Sequence, residues 1–323
     1  MVTSFIKNYA LLMFLIANLN DVVIGSDSNL KKEIKYDEYQ VTIYRDIWGV
    51  PHIYGNKDKD TAYGLGYAHA EDDFQTIQNI LIASRGKLAS YYGKEAAPND
   101  YMVKLLSIWD IVNENYSSLP NDIIAICESY ADGINHFIKN NPKKAVKGIY
   151  PITGKDIIAG FIHRMPLMFG LDRTLAKLAS NKEINNQSTT TASNQFSQRV
   201  LGSNVIAVSS SRSADRHTRL LINSHQPWSG PVAWYEAHLN SNEGWNMVGG
   251  LFPGSPVVFV GHNENIGWSH TVNSPDLIDV YELEVNPYNP KQYYIDGKAV
   301  NFEIDEAAIE VKLWGPFKWT FKR

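Results

Sequence analysis

The feature that most constrains the fold is an abrupt change in composition inside the 323-residue chain. Residues 181–200 are rich in Asn, Gln, Ser and Thr and have no sustained apolar period, so they cannot bury enough surface to order themselves. Apolar residues recur at helical spacing before this segment and fall in short runs typical of strands after it. We therefore predict a mainly helical part (27–180), a flexible spacer (181–202) and a strand-rich part (203–323).

The first part contains signals for one strand and three helices. Residues 40–44 alternate like a strand with one buried face, and a helix is predicted to begin at Glu71, among acidic residues that favour a helix N-terminus. Two further helices are predicted after Pro120 and from a capping box at Thr153, the last with a kink at Pro166. Cys127 lies on the apolar face of the second helix, which favours a role in the core. Beyond the spacer, strands are predicted at 204–208, 220–223, 257–260 and 279–283.

The N-terminus is typical of an export signal, predicted to span residues 1–26. Lys7 precedes an apolar run over residues 10–17, and small residues follow at Gly25 and Ser26. The run is shorter than a membrane span requires, although a short membrane-anchoring helix is the alternative. We therefore expect a periplasmic or secreted protein with no stable membrane span.

Composition and cysteine content exclude several classes of protein. Cys127 is the single cysteine, so neither an intramolecular disulfide nor a cysteine-based zinc site is possible. The net charge of −4 gives no basic field of the kind that nucleic-acid binding uses. We expect no nucleic acid among the partners.

The search for catalytic motifs leads to one serine. The chain has no G-x-S-x-G elbow and no H-E-x-x-H zinc motif, and the spacing of its histidines is not that of metal ligands. A serine can instead use its own α-amino group as the base once the preceding peptide bond is cut. Ser203 suits this because Gly202 obstructs attack on its carbonyl very little and the spacer lies upstream. On these residues alone, a Gly–Ser pair entering a strand stays the alternative.

Six further segments surround this pair in a fixed order. They are 44–53 (YRDIWGVPHI), 64–72 (GLGYAHAED), 223–228 (NSHQPW), 235–239 (YEAHL), 253–257 (PGSPV) and 267–272 (GWSHTV). Together with Gly202-Ser203-Asn204, they resemble the penicillin acylase family of N-terminal nucleophile hydrolases over essentially the whole length after the signal.

The resemblance implies an α+β fold with a four-layer α/β/β/α sandwich and a mainly helical α-chain portion. It also implies one exported precursor that cuts itself between Gly202 and Ser203 into an α chain and a β chain, which stay partners. Ser203 is then the nucleophile and Asn204 begins the core strand. His225 lies near the nucleophile's amine, and the backbone N–H of Val272 forms half of the oxyanion hole.

The resemblance also implies a structural calcium ion, while no cofactor is expected for the chemistry. Asp276, the Ile278 carbonyl and Asp279 match the family's calcium-binding stretch. The family's third carboxylate aligns with Leu175, and Asp172 is the nearest acid. Family precursors are longer, so we expect this chain to be a fragment that lacks the asparagine of the oxyanion hole.

The expected function is hydrolysis of a linear amide in a small N-acylated molecule through an acyl-enzyme. Acyl-homoserine lactones or lipopeptides are favoured over β-lactams, because His225 and residues 235–239 look like those branches of the family. Three alternatives stay open: a penicillin- or cephalosporin-type acylase, a non-catalytic remnant, and a conventional serine hydrolase that acts without cleavage.

Overall fold

The computed structural model describes residues 31–179, 202–271 and 277–322. The predicted signal and residues 181–200 of the spacer lie outside this part of the chain. The α-helices described are α1 (Asp58–Ser84), α2 (Leu88–Tyr92), α3 (Ala97–Leu105), α4 (Ile108–Asn115), α5 (Asn121–Asn140), α6 (Gly154–Met168) and α7 (Leu171–Ala179). Across the described residues, no helix has the length and apolar character needed to cross a membrane.

Strands precede and follow this block of helices. They are β1 (Lys31–Tyr36), β2 (Tyr39–Arg45), β3 (Pro51–Gly55), β4 (Ser203–Val208), β5 (Arg219–Ser224), β6 (Tyr235–Ser241), β7 (Asn246–Leu251), β8 (Val260–His262), β9 (Gly267–Trp268), β10 (Glu284–Val285), β11 (Gln292–Ile295), β12 (Lys298–Asn301), β13 (Ala308–Trp314) and β14 (Phe317–Lys322). The α+β class and the change from helices to strands are confirmed.

One seven-stranded sheet joins the two parts of the chain. Its order is β1-β2-β3-β6-β7-β8-β9, so its first three strands precede the spacer and the others follow it. The two sets meet where β3 pairs with β6 in parallel, with His52 opposite His238, while the remaining pairs are antiparallel. The other described strands form the small sheets β4-β5, β10-β11-β12 and β13-β14. The four-layer α/β/β/α sandwich implied by the resemblance stays an expectation.

Helix α1 covers one face of the large sheet and begins earlier than predicted. Val41, Ile43 and Ile53 point into the core that this helix shares with the strands. The helix begins at Asp58, not at Glu71, and its backbone leaves helical geometry at Asp73 (φ −142°, ψ 57°). The acidic residues that suggested a helix start therefore lie at an internal break, where the Asp73 carboxylate accepts a hydrogen bond from the Thr76 N–H.

Two glycines allow α1 and α5 to cross in close contact. A Cβ atom built at Gly66 would lie 2.1 Å from the Tyr130 carbonyl oxygen, and one at Gly133 would lie 2.1 Å from the Tyr63 carbonyl oxygen. Neither distance is possible for a real side chain, so both positions require glycine. The crossing buries Tyr63 and Tyr130 completely.

The predicted starts of α5 and α6 are confirmed, while the kink expected at Pro166 stays a prediction. Helix α5 follows Pro120, and Cys127 is buried in the core cluster. Helix α6 begins after Thr153, which forms the predicted capping box with Asp156. The helix runs through Pro166 and ends two residues later, at Met168.

The strand predictions after the spacer are confirmed in part. Residues 204–208 and 220–223 lie within β4 and β5. The strand expected at 257–260 begins only at Val260, and the one expected at 279–283 is wrong, because residues 277–283 form no strand. Most side chains in 277–283 are exposed, so this stretch has no buried face of the kind that stabilises a strand.

Candidate active site around Ser203

Ser203 begins strand β4, and the pairing of β4 with β5 determines its neighbours. The antiparallel register places Ser203 opposite Ser224 and Asn204 opposite Asn223. One step beyond the ladder, the backbone N–H of His225 donates a 3.1 Å hydrogen bond to the Gly202 carbonyl oxygen. The Gly202–Ser203 peptide is therefore held by strand pairing at the end of a two-stranded ribbon.

The hydroxyl of Ser203 contacts the same carbonyl group. Its Oγ lies 2.5 Å from the Gly202 carbonyl oxygen and donates to it. That oxygen thus accepts two hydrogen bonds, one from the Ser203 hydroxyl and one from the His225 N–H. The His225 N–H can stabilise the negative charge that develops on this oxygen when a nucleophile attacks the carbonyl carbon.

The imidazole of His225 lies against Gly202 and Asn204. Its Nε2 lies 3.1 Å from the Asn204 Nδ2, an amide nitrogen that can only donate, so Nε2 accepts and the ring proton resides on Nδ1. A Cβ atom built at Gly202 would lie 2.9 Å from this Nδ1. The structure therefore brings together Gly202, Ser203, Asn204 and His225, and a larger residue at 202 would require the His225 ring or the peptide to shift.

Ser224 is a member of this group that the sequence did not indicate. Its Oγ is buried and has no hydrogen-bond partner within the described residues, although it lies directly across the ladder from Ser203. Only its position before His225 distinguishes it in the sequence.

The predicted oxyanion residue Val272 lies outside the described residues. The strand that leads to it does contact the nucleophile ribbon: a Cβ atom built at Gly267 would lie 2.6 Å from the Leu220 Cδ2. Strand β9 therefore approaches the Leu220 side chain of β5 at Gly267. The assignment of Val272 stays a prediction.

The predicted calcium site lies partly outside the described residues and stays a prediction. Asp276 lies outside them, the Asp279 side chain is exposed and Ile278 is half-buried. Asp172 and Leu175 lie on helix α7. Within the described ranges, no three or more His, Cys, Asp or Glu side chains form a group able to hold a metal ion.

A buried arginine connects the helical part to the strand-rich part. Arg164 on α6 donates from Nη1 to the carbonyl oxygens of Pro231 (3.2 Å) and Pro253 (2.8 Å). Burial lowers the pKa of its guanidinium to about 10, so the group is still a cation at neutral pH. The sequence does not indicate these hydrogen bonds of Arg164, because the loops that contain Pro231 and Pro253 meet α6 only in the folded chain.

A largely apolar cavity of about 290 Å³ lies beside Arg164. Ile80, Leu167 and Val232 are among its walls, so it too is formed by both parts of the chain. Most of its wall area is apolar and suits an apolar group, while Arg164 and His163 add polar atoms to the lining.

Comparison with known proteins gives relatives over most of the chain. The sequence is 26% identical over 294 residues to acyl-homoserine lactone acylase PvdQ of Pseudomonas fluorescens (strain Pf0-1), covering 84% of this chain and 38% of that protein. It is also 26% identical over 313 residues to aculeacin-A acylase of Actinoplanes utahensis, covering 88% of this chain and 40% of that protein. The chain therefore spans about two-fifths of the length of the curated relatives it matches.

One solved structure and one family profile complete the comparison. A thermostable penicillin G acylase from Alcaligenes faecalis shares 22% identity, with a TM-score of 0.33, over 47% of this chain and 95% of that one. The profile described as penicillin amidase matches residues 40–322. Because this match takes in nearly the whole chain, the protein belongs to the penicillin amidase family.

Proposed function

We propose that this chain is part of an N-acyl amide hydrolase that activates itself by cutting the Gly202–Ser203 bond. One observation carries the proposal: the Ser203 hydroxyl and the His225 N–H both donate to the carbonyl oxygen of the bond to be cut.

The proposed cleavage transfers an acyl group and then adds water. Ser203 Oγ attacks the Gly202 carbonyl carbon, and the carbonyl oxygen becomes an oxyanion held by the His225 N–H. The carbon–nitrogen bond breaks, the hydroxyl proton passes to the departing amine, and an ester joins Gly202 to Ser203 Oγ. Water then hydrolyses the ester, leaving a carboxylate on Gly202 and a free amine and hydroxyl on Ser203.

The new α-amine would serve as the base of the mature reaction. An unperturbed α-amino group has a pKa of about 7.7 to 8.0, close to neutral pH. It would take the proton of Ser203 Oγ as this oxygen attacks the substrate amide, and water would later release the acyl group. The Val272 N–H would supply one oxyanion donor. The asparagine expected as the second donor would come from the portion of the relatives that this chain does not cover.

The proposed substrate is a small molecule with an acyl chain on a linear amide. The named relatives act on an acyl-homoserine lactone and on aculeacin A, by their names. The cavity beside Arg164 supports an acyl group as part of the ligand, because Ile80, Leu167 and Val232 give it apolar walls. A β-lactam acylase is the alternative within the family. Export through residues 1–26 and a structural calcium ion stay predictions.

The test is to identify the cleaved bond by N-terminal sequencing and intact mass after expression of the gene. We expect a fragment that begins at Ser203. The variant Ser203→Ala should stay uncut, whereas Ser229→Ala, a change at an exposed loop serine, should be cut normally. A fragment that begins elsewhere, or normal cutting of Ser203→Ala, would overturn the mechanism.

Activity is then measured separately from cleavage. Hydrolysis of N-acyl-homoserine lactones and of a chromogenic β-lactam side-chain analogue distinguishes the two substrate classes. Turnover by the 323-residue chain that is lost in Ser203→Ala would exclude the non-catalytic alternative. Full turnover by an uncut chain would favour a conventional serine hydrolase.

A further inference from the structure

Ser224 lies directly across the β4–β5 ladder from Ser203. In the adjacent pair, the His225 N–H donates to the Gly202 carbonyl oxygen, and pairs with and without backbone hydrogen bonds alternate along an antiparallel ladder. Ser203 and Ser224 therefore form a pair without such bonds, in which the Cα atoms lie about 4.5 Å apart and the side chains are closer than in the other kind of pair. The two hydroxymethyl groups are thus neighbours on one face of the ribbon.

The imidazole of His225 lies on the other face of the ribbon. Side chains alternate along a strand, so positions 202, 204, 223 and 225 point away from the Ser203 side chain. The contacts of the imidazole with Gly202 and with the Asn204 amide agree with this arrangement. The backbone of the ribbon therefore separates the imidazole from the Ser203 hydroxyl, whereas the Ser224 hydroxyl shares its face.

The face with the two serines is the more protected one. Its Leu220 side chain lies against Gly267 of β9, whereas Leu221, on the opposite face, is exposed. The Ser224 Oγ is buried and forms no hydrogen bond with the part of the chain that the structure describes. In the uncut chain the Ser203 hydroxyl is directed elsewhere, because it donates to the Gly202 carbonyl oxygen.

Cleavage of the Gly202–Ser203 bond would release the Ser203 hydroxyl from this contact. Rotation about the Cα–Cβ bond then turns Oγ from Gly202 toward Ser224. We propose that Ser224 is a positioning residue of the cut enzyme, whose hydroxyl donates a hydrogen bond to Ser203 Oγ. This inference rests on the proposed function, because the contact forms only after the cut.

The proposed hydrogen bond would assist attack by Ser203 in two ways. Ser203 Oγ has two lone pairs, so accepting from Ser224 leaves one for attack and leaves the hydroxyl proton for the α-amine. As that proton departs, the Ser224 donor stabilises the negative charge that grows on Oγ. The bond also holds Ser203 in one rotamer, which reduces the freedom lost on reaching the transition state. We therefore expect Ser224 to raise the reactivity of the nucleophile.

The test measures how fast Ser203 reacts with phenylmethylsulfonyl fluoride, followed by the intact mass of the fragment that begins at Ser203. In this reaction a bond forms between Ser203 Oγ and sulfur, fluoride leaves and the hydroxyl proton passes to the α-amine. Ser224→Ala should be cut like the wild type and labelled about tenfold more slowly, as expected for loss of one hydrogen bond. Ser224→Thr, which keeps a hydroxyl, and Leu221→Ala, a change on the exposed face of β5, should be labelled at the wild-type rate.

Urea denaturation separates positioning from loss of structure, because Ser224→Ala should keep the wild-type midpoint. Three results would each overturn the inference: equal labelling rates in the wild type and Ser224→Ala, slow labelling of Ser224→Thr at an unchanged midpoint, or no labelling of Ser203 in the cut wild type. A wild-type chain that stays uncut is a different result, which refutes the self-cleavage and this inference with it.

Discussion

The backbone N–H of His225 donates to the carbonyl oxygen of Gly202, and the imidazole of the same residue fills the space beside the Gly202 Cα. One residue therefore both polarises the bond proposed for cleavage and restricts the side chain that precedes it. This dual contact separates the roles of backbone and side chain at position 225, so each can be tested alone.

The variant Gly202→Ala should slow self-cleavage at least tenfold, which corresponds to about 1.4 kcal/mol in the barrier. Its methyl group would lie 2.9 Å from the His225 Nδ1, so the ring or the peptide must move. The measurement is the rate at which the Ser203 fragment appears on denaturing gels. In a His225→Ala background, which keeps the N–H and removes the ring, the same change should have little effect. Equal slowing in both backgrounds would contradict the contact.

The variants Gly66→Ala and Gly133→Ala should each lower the free energy of unfolding by about 3 kcal/mol, because a methyl group at either position overlaps a backbone oxygen of the facing helix. Urea denaturation measures this. Gly160→Ala is the matched control: its Cβ would meet Ile80 at 3.7 Å, an ordinary contact, and alanine favours a helix. If Gly160→Ala lost stability while Gly66→Ala and Gly133→Ala did not, the close contact between α1 and α5 would be contradicted.

Stability should fall on acidification because two histidines are buried in the neutral form. Burial lowers the pKa of His163 to about 4 and that of His69 to about 3, from an ordinary value of 6.5. Below pH 6.5 the unfolded chain gains protons that the folded chain does not bind, so stability decreases as the pH falls toward these values. Each histidine should cost about 2 kcal/mol between pH 7 and pH 5.

The variant His163→Gln tests this dependence, because glutamine keeps a donor for the Asn99 Oδ1, which lies 2.8 Å from the His163 Nε2. Denaturation of the variant at pH 7 and pH 5 should show a smaller difference than in the wild type. His217→Gln, at an exposed position, should leave the wild-type difference unchanged. An unchanged difference in His163→Gln would refute the assignment.

The variant Arg164→Lys should lower the free energy of unfolding by about 1–3 kcal/mol, because a single ammonium group replaces a guanidinium whose Nη1 reaches two carbonyl oxygens while its Nε donates to the Gly160 carbonyl. Arg173→Lys, at an exposed position on α7, should change it by less than about 0.5 kcal/mol. Similar stabilities of the two variants in urea would exclude Arg164 as a link between the parts.

The sequence predicted elements well where periodicity and capping residues act locally. Helix α5 and the capping box at Thr153 were found because three- and four-residue spacing and Asp156 are local signals. The start of α1 was missed because Gly64 and Gly66 weaken a helical pattern, yet tertiary packing requires them there. A glycine that allows close helix contact and a glycine that ends a helix cannot be told apart from one sequence.

For the candidate site, the sequence indicated residues but not their contacts. Gly202, Ser203, Asn204 and His225 were named from motifs, and the β4–β5 register explains why they meet. The His52–His238 pair was not predicted, because its members lie 186 residues apart and meet only through a parallel strand pair. Such pairing follows from the order of strands in the sheet, which residue patterns along the chain do not reveal.

The parallel pairing of β3 with β6 also bears on how the protein would refold after the proposed cleavage. Pairing strands that are so distant in sequence is slow, and one continuous chain favours it by limiting how far apart the strands can drift. If the chain is cut at Ser203 only after the sheet has formed, the continuous chain has already brought β3 and β6 together. Once such a cut protein is denatured, its strands must find each other as separate molecules, so recovery on removal of urea would depend on protein concentration. The uncut Ser203→Ala chain would recover independently of concentration.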